Sequence, residues 1–315
     1  MSRKRRLGAT DMETVPLVLG GNVFGWTADR TASFAILDAF VARGGSMIDT
    51  ADVYSAWVPG HSGGESETMI GEWLKRSGKR DDVIIATKVG MLPGEGGDKL
   101  APARIAAACD ASLKRLGTDR IDVYFAHQDD DGVPQEDVLA AFGQLIDAGK
   151  VGVIGASNFH AARLKSALDL ARDGALPHYR VLQPEYNLVS RKKFEGELQD
   201  LCVEHNIAVT PYYGLASGFL TGKYRSKDDL GKSVRGGRMG ELLDTRMAVL
   251  ETMDAIAAET GATLAQIALA WLAAQPGVTA PIASATSVEQ LNDIMGAIDL
   301  ELSSDQIDRL TAAGA

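Results

Sequence analysis

At 315 residues the chain can bury roughly 75% of the surface its unfolded form exposes, so it needs no disulfide or metal staple. Hydrophobic residues make up 45% and charged residues 23%, which excludes a disordered chain. With 42 Asp and Glu against 32 Lys and Arg, the net charge of −10 argues against nonspecific nucleic-acid binding, and the basic start Arg3-Lys4-Arg5-Arg6 is too short to reverse that.

In chain order, Gly8-Ala9-Thr10-Asp11 supplies turn residues for a short N-terminal β-hairpin ahead of Val15-Pro16-Leu17-Val18-Leu19-Gly20. Short apolar runs suited to buried parallel strands then recur at 17–20, 46–49, 83–88, 121–127, 151–157, 181–187, 208–213 and 279–284. Helical spacing fills the gaps: Ala35, Ile36, Ala39 and Phe40 mark the first face, Ile105, Ala108, Leu113 and Leu116 a later one. The stretch 300–315 reads as a closing helix capped by Ser303 or Ser304. Eight strand–helix units without a break in composition predict one (β/α)8 TIM barrel over residues 1–315, in preference to an open doubly wound sheet or two domains. The open sheet would carry a glycine-rich phosphate loop after its first strand. Here Gly20-Gly21-Asn22-Val23-Phe24-Gly25 is not G-x-G-x-x-G. Two longer loops, 57–64 and 224–239, fall at the C-terminal rim, where barrel loops serve active sites.

Cys109 and Cys202 lie in amphipathic helical stretches and read as buried thiols of a reducing compartment. No apolar h-region follows the basic N-terminus. The most apolar stretch, 263–278, is too short to span and carries Gln266, Gln275 and Pro276. A cytoplasmic protein with no membrane partner is expected.

Polar residues at the ends of otherwise apolar strands need an explanation. They are Asp49, Lys88, His127, Ser157 with Asn158, Gln183 and Tyr212, and Tyr54 follows Asp49 by five positions. A barrel brings such groups to one mouth. One strand-end His, one Asp and one Lys make no metal set, and Ser157 in Gly155-Ala156-Ser157-Asn158 is no nucleophile elbow. A Tyr, Lys, Asp and His group remains, suited to proton transfer through a phenol. An ammonium beside Tyr54 lowers its pKa from about 10, and an Asp keeps that ammonium charged. Tyr54 would protonate a carbonyl oxygen or take an alcohol proton, with His127 orienting that oxygen. No side chain supplies hydride, so a nicotinamide cofactor is required.

Six ordered motifs place the resemblance. Ile48-Asp49-Thr50-Ala51-Asp52-Val53-Tyr54 with Gly64-Glu65-Ser66-Glu67, Ala86-Thr87-Lys88, Asp122 through His127, Gly155 through Phe159, Gln183-Pro184-Glu185-Tyr186-Asn187, and Pro211 through Tyr224 resemble the aldo-keto reductase superfamily in its order. The likeness is nearest to the bacterial branch with an extended loop after strand seven, the broad group of potassium-channel beta subunits. It implies Tyr54 as proton donor, Lys88 and Asp49 as the pair that tunes it, and His127 as the orienting residue. It further implies Ser157, Asn158 and Gln183 on the nicotinamide carboxamide, Tyr212 stacking on its ring, and Gly20, Gly21 and Asn22 beside the ribose. Leu215, Ala216, Gly218, Lys223 and Arg235 fall toward the pyrophosphate and adenosine, and Ser284, Thr286 and Gln290 toward the 2′ position.

This sequence departs from the pattern twice. Tyr213-Gly214 replaces a small hydroxyl residue and proline. In the segment 281–293, Ser284, Thr286 and Gln290 offer no cation for a 2′-phosphate, and Ile294 stands where an asparagine is usual. Family habit favours NADP(H), with Lys223, Arg235 or Arg238 compensating; NAD(H) is the alternative. A substrate pocket is expected from Trp26, Trp57, His61, Phe125, Tyr213 and parts of the 224–239 loop, for a small carbonyl or alcohol. The implied activity is an oxidoreductase interconverting carbonyls and alcohols. Its alternatives are an NAD-dependent aldose or secondary-alcohol dehydrogenase and a cofactor-binding regulatory subunit with slow turnover.

Overall fold

The computed structural model describes residues 4–232, 237 and 239–315. A two-stranded antiparallel hairpin comes first, β1 (Arg5–Arg6) against β2 (Glu13–Thr14), with Arg5 opposite Thr14. Eight parallel strands follow: β3 (Val18–Gly20), β4 (Met47–Asp49), β5 (Ile84–Val89), β6 (Ile121–Ala126), β7 (Val151–Ser157), β8 (Tyr179–Gln183), β9 (Ala208–Val209) and β10 (Ile282–Ala283). Neighbours in sequence are neighbours in the sheet, and β10 returns to pair with β3. The ring closes where Thr279 N and Ile282 N donate to the carbonyls of Val209 and Pro211 at 2.8 and 2.9 Å. This is a (β/α)8 barrel with a short N-terminal hairpin, as its strand–helix alternation predicts.

Several strands are shorter than their apolar runs. β6 stops at Ala126, β8 at Gln183 before Pro184, and β9 and β10 keep two residues each. The trimmed residues still run along the barrel wall: Glu185 bridges Tyr212, and His127 N donates to Val89 O at 2.8 Å. Regular ladder pairing ends there, and the polar residues Asp49, Lys88, Ser157 and Gln183 stand at or near the C-terminal ends of the paired strands.

Leu7, Val18, Met47, Ala86, Val123, Phe125, Val181, Ala208, Ala280 and Ile282 fill the barrel interior. The hairpin plugs the N-terminal end: Leu7 is fully buried, Ala9 N donates to Asn206 O, and Arg5 reaches the carbonyls of Ala273, Val278 and Thr279. Phe125 dictates a neighbour. A Cβ at Gly155 would lie 2.4 Å from its ring, so only glycine fits on β7 at that level.

The outer layer comprises α1 (Arg30–Ala42), α2 (Glu65–Ser77), α3 (Pro102–Leu116), α4 (Gln135–Asp147), α5 (Ala161–Leu170), α6 (Glu197–Glu204), α7 (Gly240–Thr245), α8 (Met247–Thr260), α9 (Leu264–Ala273), α10 (Val288–Met295) and α11 (Ser304–Ala313). Reciprocal capping boxes start α9 (Thr263 with Gln266) and α11 (Ser303 with Gln306), which settles the cap of the last helix on Ser303. Among the described residues no single helix is long and apolar enough to cross a membrane, and α9 is apolar because it is buried from Ile267 to Leu272. Both cysteines are free and buried, and burial pushes each thiol up to about 12.

Candidate functional site at the barrel mouth

Opposite the hairpin, the C-terminal ends of the strands open into a cleft of about 860 Å³. At its floor Asp49 is the last residue of β4, and Lys88 lies beside it on β5. The Lys88 side chain is completely buried, and its ammonium spends all three protons. It donates to Asp49 Oδ2 at 2.7 Å, to Thr50 O at 2.7 Å and to the Tyr54 hydroxyl at 2.9 Å. Tyr54 reaches back because the chain turns just after β4, with Tyr54 N bonded to Ala51 O. Its hydroxyl donates to Asp49 Oδ2 at 3.1 Å, and Gln183 at the end of β8 donates to Asp49 Oδ1 at 2.8 Å.

Burial is the largest influence on these groups. It pulls Lys88 below the ordinary lysine range, with Asp49 opposing. It pushes Tyr54 well above the usual tyrosine value, reinforced by the charge of Asp49 and by the hydrogen bond to it. That corrects the expectation of a lowered phenol: the carboxylate and the dry setting outweigh the ammonium. His127 is held well below the ordinary histidine range by burial and then by the Lys88 charge, so its ring is neutral; Nδ1 is buried with no partner among the protein groups. The rings of His127 and Tyr54 meet edge to face at 6.2 Å.

A polar wall continues from this floor. Ser157 Oγ donates to Gln183 O at 2.9 Å, Asn158 Nδ2 to His127 O at 2.9 Å, and the Tyr212 hydroxyl to Asn158 Oδ1 at 2.7 Å. Asn158 holds a left-handed backbone, φ 58°. Tyr213, Ala216 and Ser217 also have positive φ (57°, 46° and 56°), a cluster of strained non-glycine residues along one side of the cleft. Across from them, Ser284 Oγ donates to Asn22 Oδ1 at 2.6 Å, and Thr286 donates its N–H and hydroxyl to Gln290 Oε1, both at 3.0 Å. Gly20 is required for this approach, because a Cβ there would stand 2.5 Å from Ser284 Oγ.

Residues 16–315 match the family model described as "Aldo/keto reductase family". The chain belongs to the aldo/keto reductase family. It is 32% identical over 306 residues to a probable voltage-gated potassium channel subunit beta of Arabidopsis thaliana, covering 94% of this chain and 91% of that one. An uncharacterized oxidoreductase of Bacillus subtilis, YrpG, is 33% identical over 303 residues, with the same coverages. The aldo-keto reductase yakc [NADP(+)] of Schizosaccharomyces pombe is 30% identical over 317 residues, covering 96% and 89%. Aldo/keto reductases are nicotinamide-dependent oxidoreductases.

Within this aldo/keto reductase, Gly20, Asn22, Asp49, Tyr54, Trp57, His127, Ser157, Asn158, Gln183, Tyr212, Tyr213, Leu215, Gly218, Lys223, Ser284, Thr286 and Gln290 line the same cleft. Lys88 stands directly behind Tyr54. Gly21 lies behind the wall, its N–H on Asp49 O, and Ala216 is buried beneath it. Arg235 and Arg238 lie outside the described residues.

Three expected pocket residues do not line the cleft. Phe125 points into the barrel, fully buried, with its ring 6.0 Å from Lys88 Nζ; alternation along β6 turns it inward. Trp26 stands behind Trp57, edge to face at 5.6 Å. His61 closes a turn onto Val58 O, and its buried Nδ1 has no partner among the protein groups. Met91 and Asp293 line the cleft without having been expected there, and Lys232 does so from the loop expected to contribute. Each carries a readable signal: Met91 follows the end of β5, Lys232 lies in the long 224–239 loop, and Asp293 is one helical turn beyond Gln290.

Proposed function

We propose that this protein interconverts a carbonyl compound and its alcohol with NADP(H), using Tyr54 as the proton donor and acceptor. The observation that carries this reading is the phenol of Tyr54 at the cleft floor, bonded at once to a buried ammonium and a buried carboxylate. Tyr54 has one proton to give. In the resting site it goes to Asp49, and a carbonyl oxygen above the floor competes for it. A raised pKa keeps the phenol protonated at neutral pH, and Lys88 stabilises the phenolate left after transfer. The neutral His127 ring has one N–H for the same oxygen, where developing negative charge strengthens the bond.

The residues fit a dinucleotide. Gly20 and Gly218 let Ser284 and Lys223 pack closely along the cleft wall, the Tyr212 ring offers a stacking face, Ser157, Asn158 and Gln183 form the carboxamide wall, and Lys223 and Lys232 bring positive charge. When bound, the nucleotide supplies the hydride that the chain lacks. NADP(H) is favoured by these two lysines and by the fungal relative whose name specifies it. A second reading, NAD(H), is favoured by Asp293, a carboxylate lining the cleft near the uncharged Thr286 and Gln290. Trp57, Met91 and Tyr213 give the substrate region an apolar, aromatic rim.

The test is titration of NADPH and NADH against the purified protein, followed by carbonyl reduction with the tighter nucleotide. Binding of NADPH with turnover supports the proposal. Binding without turnover of any aldehyde or ketone favours a regulatory subunit, and no binding overturns both.

A further inference from the structure

Behind the cleft floor, between the β4–β5 wall and helices α2 and α3, lies a second set of ionisable side chains with no part in the proton transfer above. Asp52 and Glu67 are completely buried and Arg104 is nearly so, while Arg115 is partly exposed. Cys109, Tyr124 and Lys88 complete the surroundings, from α3, β6 and β5.

The two acidic groups are held very differently. Glu67 is fully satisfied: Arg115 donates to one oxygen at 2.6 Å and the Thr87 hydroxyl to the other at 2.5 Å. Asp52 has one long bond, from Arg104 at 3.4 Å, and its Oδ1 is buried with no partner among the protein groups. A pair serving only to staple the fold would look like that of Glu67. What the weaker pair joins is the rim of the cleft. Arg104 also donates to the carbonyls of Leu92 (3.1 Å) and Glu95 (3.3 Å), in the segment that begins with the lining residue Met91. Asp52 lies two residues before Tyr54, in the segment that carries Val53, Tyr54 and Trp57 to the cleft. A Cβ on Gly63 (φ 94°) would fall 2.7 Å from Asp52 O and 2.9 Å from a Leu92 methyl, so the two segments meet at a tight seam.

We propose that Arg104 and Asp52 form a positioning clamp for the reaction proposed above, on whose reading this inference rests: their ion pair holds the Met91 segment against the Tyr54–Trp57 segment, and loss of the Asp52 charge loosens the rim. Arg104 and Asp52 are positioning residues, since neither lines the cleft. Burial first, and the Glu67 charge second, push Asp52 up to about 7, against the opposing pull of Arg104 and Arg115. The charged clamp therefore prevails above neutrality and is given up as the pH falls through it.

Trp57 is 49% exposed at the rim and the half-buried Trp26 packs against it, whereas Trp73 and Trp271 are fully buried, so acrylamide quenching of tryptophan fluorescence reads this rim pair. In the wild-type protein the quenching constant should rise about twofold on acidification, with a midpoint near neutrality. Asp52→Asn should be highly quenched and flat across the same range. Its kcat at pH 8 should fall about tenfold, to the acid-side rate of the wild type, with nucleotide affinity unchanged. Arg104→Lys, which keeps the charge but loses the fork to the two carbonyls, should fall between. A flat wild-type quenching profile overturns the clamp and needs no variant to fold. So does a midpoint that survives in Asp52→Asn, which would assign it to another group. The expected quenching behaviour without turnover of any carbonyl under saturating NADPH would uphold the clamp and overturn the reaction.

Discussion

Replacing Lys88 by Met separates chemistry from folding at the cleft floor. The two side chains are similar in length, so the change removes three hydrogen bonds and one charge with little change in volume. Asp49 would keep Gln183 and Tyr54 but become an uncompensated buried charge, since both members of the pair are at most 1% exposed. Breaking such a pair from one side costs about 3–5 kcal/mol of stability. The phenolate left by proton transfer loses its ammonium at the same time, which lowers kcat by about 10²–10³-fold, or about 2.7–4 kcal/mol. The double variant Lys88→Met/Asp49→Asn tells these effects apart. With both charges gone the floor is neutral, so thermal stability should recover most of the loss while kcat stays low. The assay pairs calorimetric Tm with single-turnover nucleotide oxidation. A double variant that regains both stability and turnover would refute the reasoning, because Lys88 would then matter only for the fold.

Three further outcomes follow from the geometry. Tyr212→Ala should weaken nucleotide binding by about 1–3 kcal/mol through loss of a stacking face, read by isothermal titration; unchanged affinity removes that role. Gly155→Ala forces a methyl to 2.4 Å from the Phe125 ring inside the barrel and should cost about 1–3 kcal/mol, seen as a lowered Tm; a variant as stable as wild type would show that the interior gives way. The folded-state pKa of His127 is depressed, so the unfolded chain binds the extra proton first and stability falls as the pH drops below about 6.5. His127→Gln should flatten that part of the stability profile, and an unaltered acid limb would assign it elsewhere.

The fold was legible because its signal repeats: eight apolar runs separated by helical faces admit few arrangements, and the polar residues near the ends of six of them mark the open side of the barrel. Asp49, Lys88, His127 and Gln183 were readable on that ground alone. Phe125 was misplaced because side-chain direction depends on strand register, which apolar composition does not specify. Trp26 and His61 lie in loop segments whose side-chain directions apolar composition does not specify: Trp26 packs against the Trp57 ring, and His61 closes a local turn onto the Val58 carbonyl. The direction of the Tyr54 shift was missed for a different reason: the ammonium and carboxylate were both readable, but their balance turns on how dry the floor is. Nothing in the spacing of Asp52 along the sequence reveals that Arg104 lies against it.

Tyr54 is the group proposed to give and take the proton. Tyr54→Phe keeps the ring against Trp57 and His127 and removes only the hydroxyl. Single-turnover oxidation of NADPH by a carbonyl substrate, with nucleotide affinity measured on the same samples, should show kcat lowered by about 10²–10⁴-fold and binding unchanged. A Tyr54→Phe variant that turns over within a few-fold of wild type would contradict it.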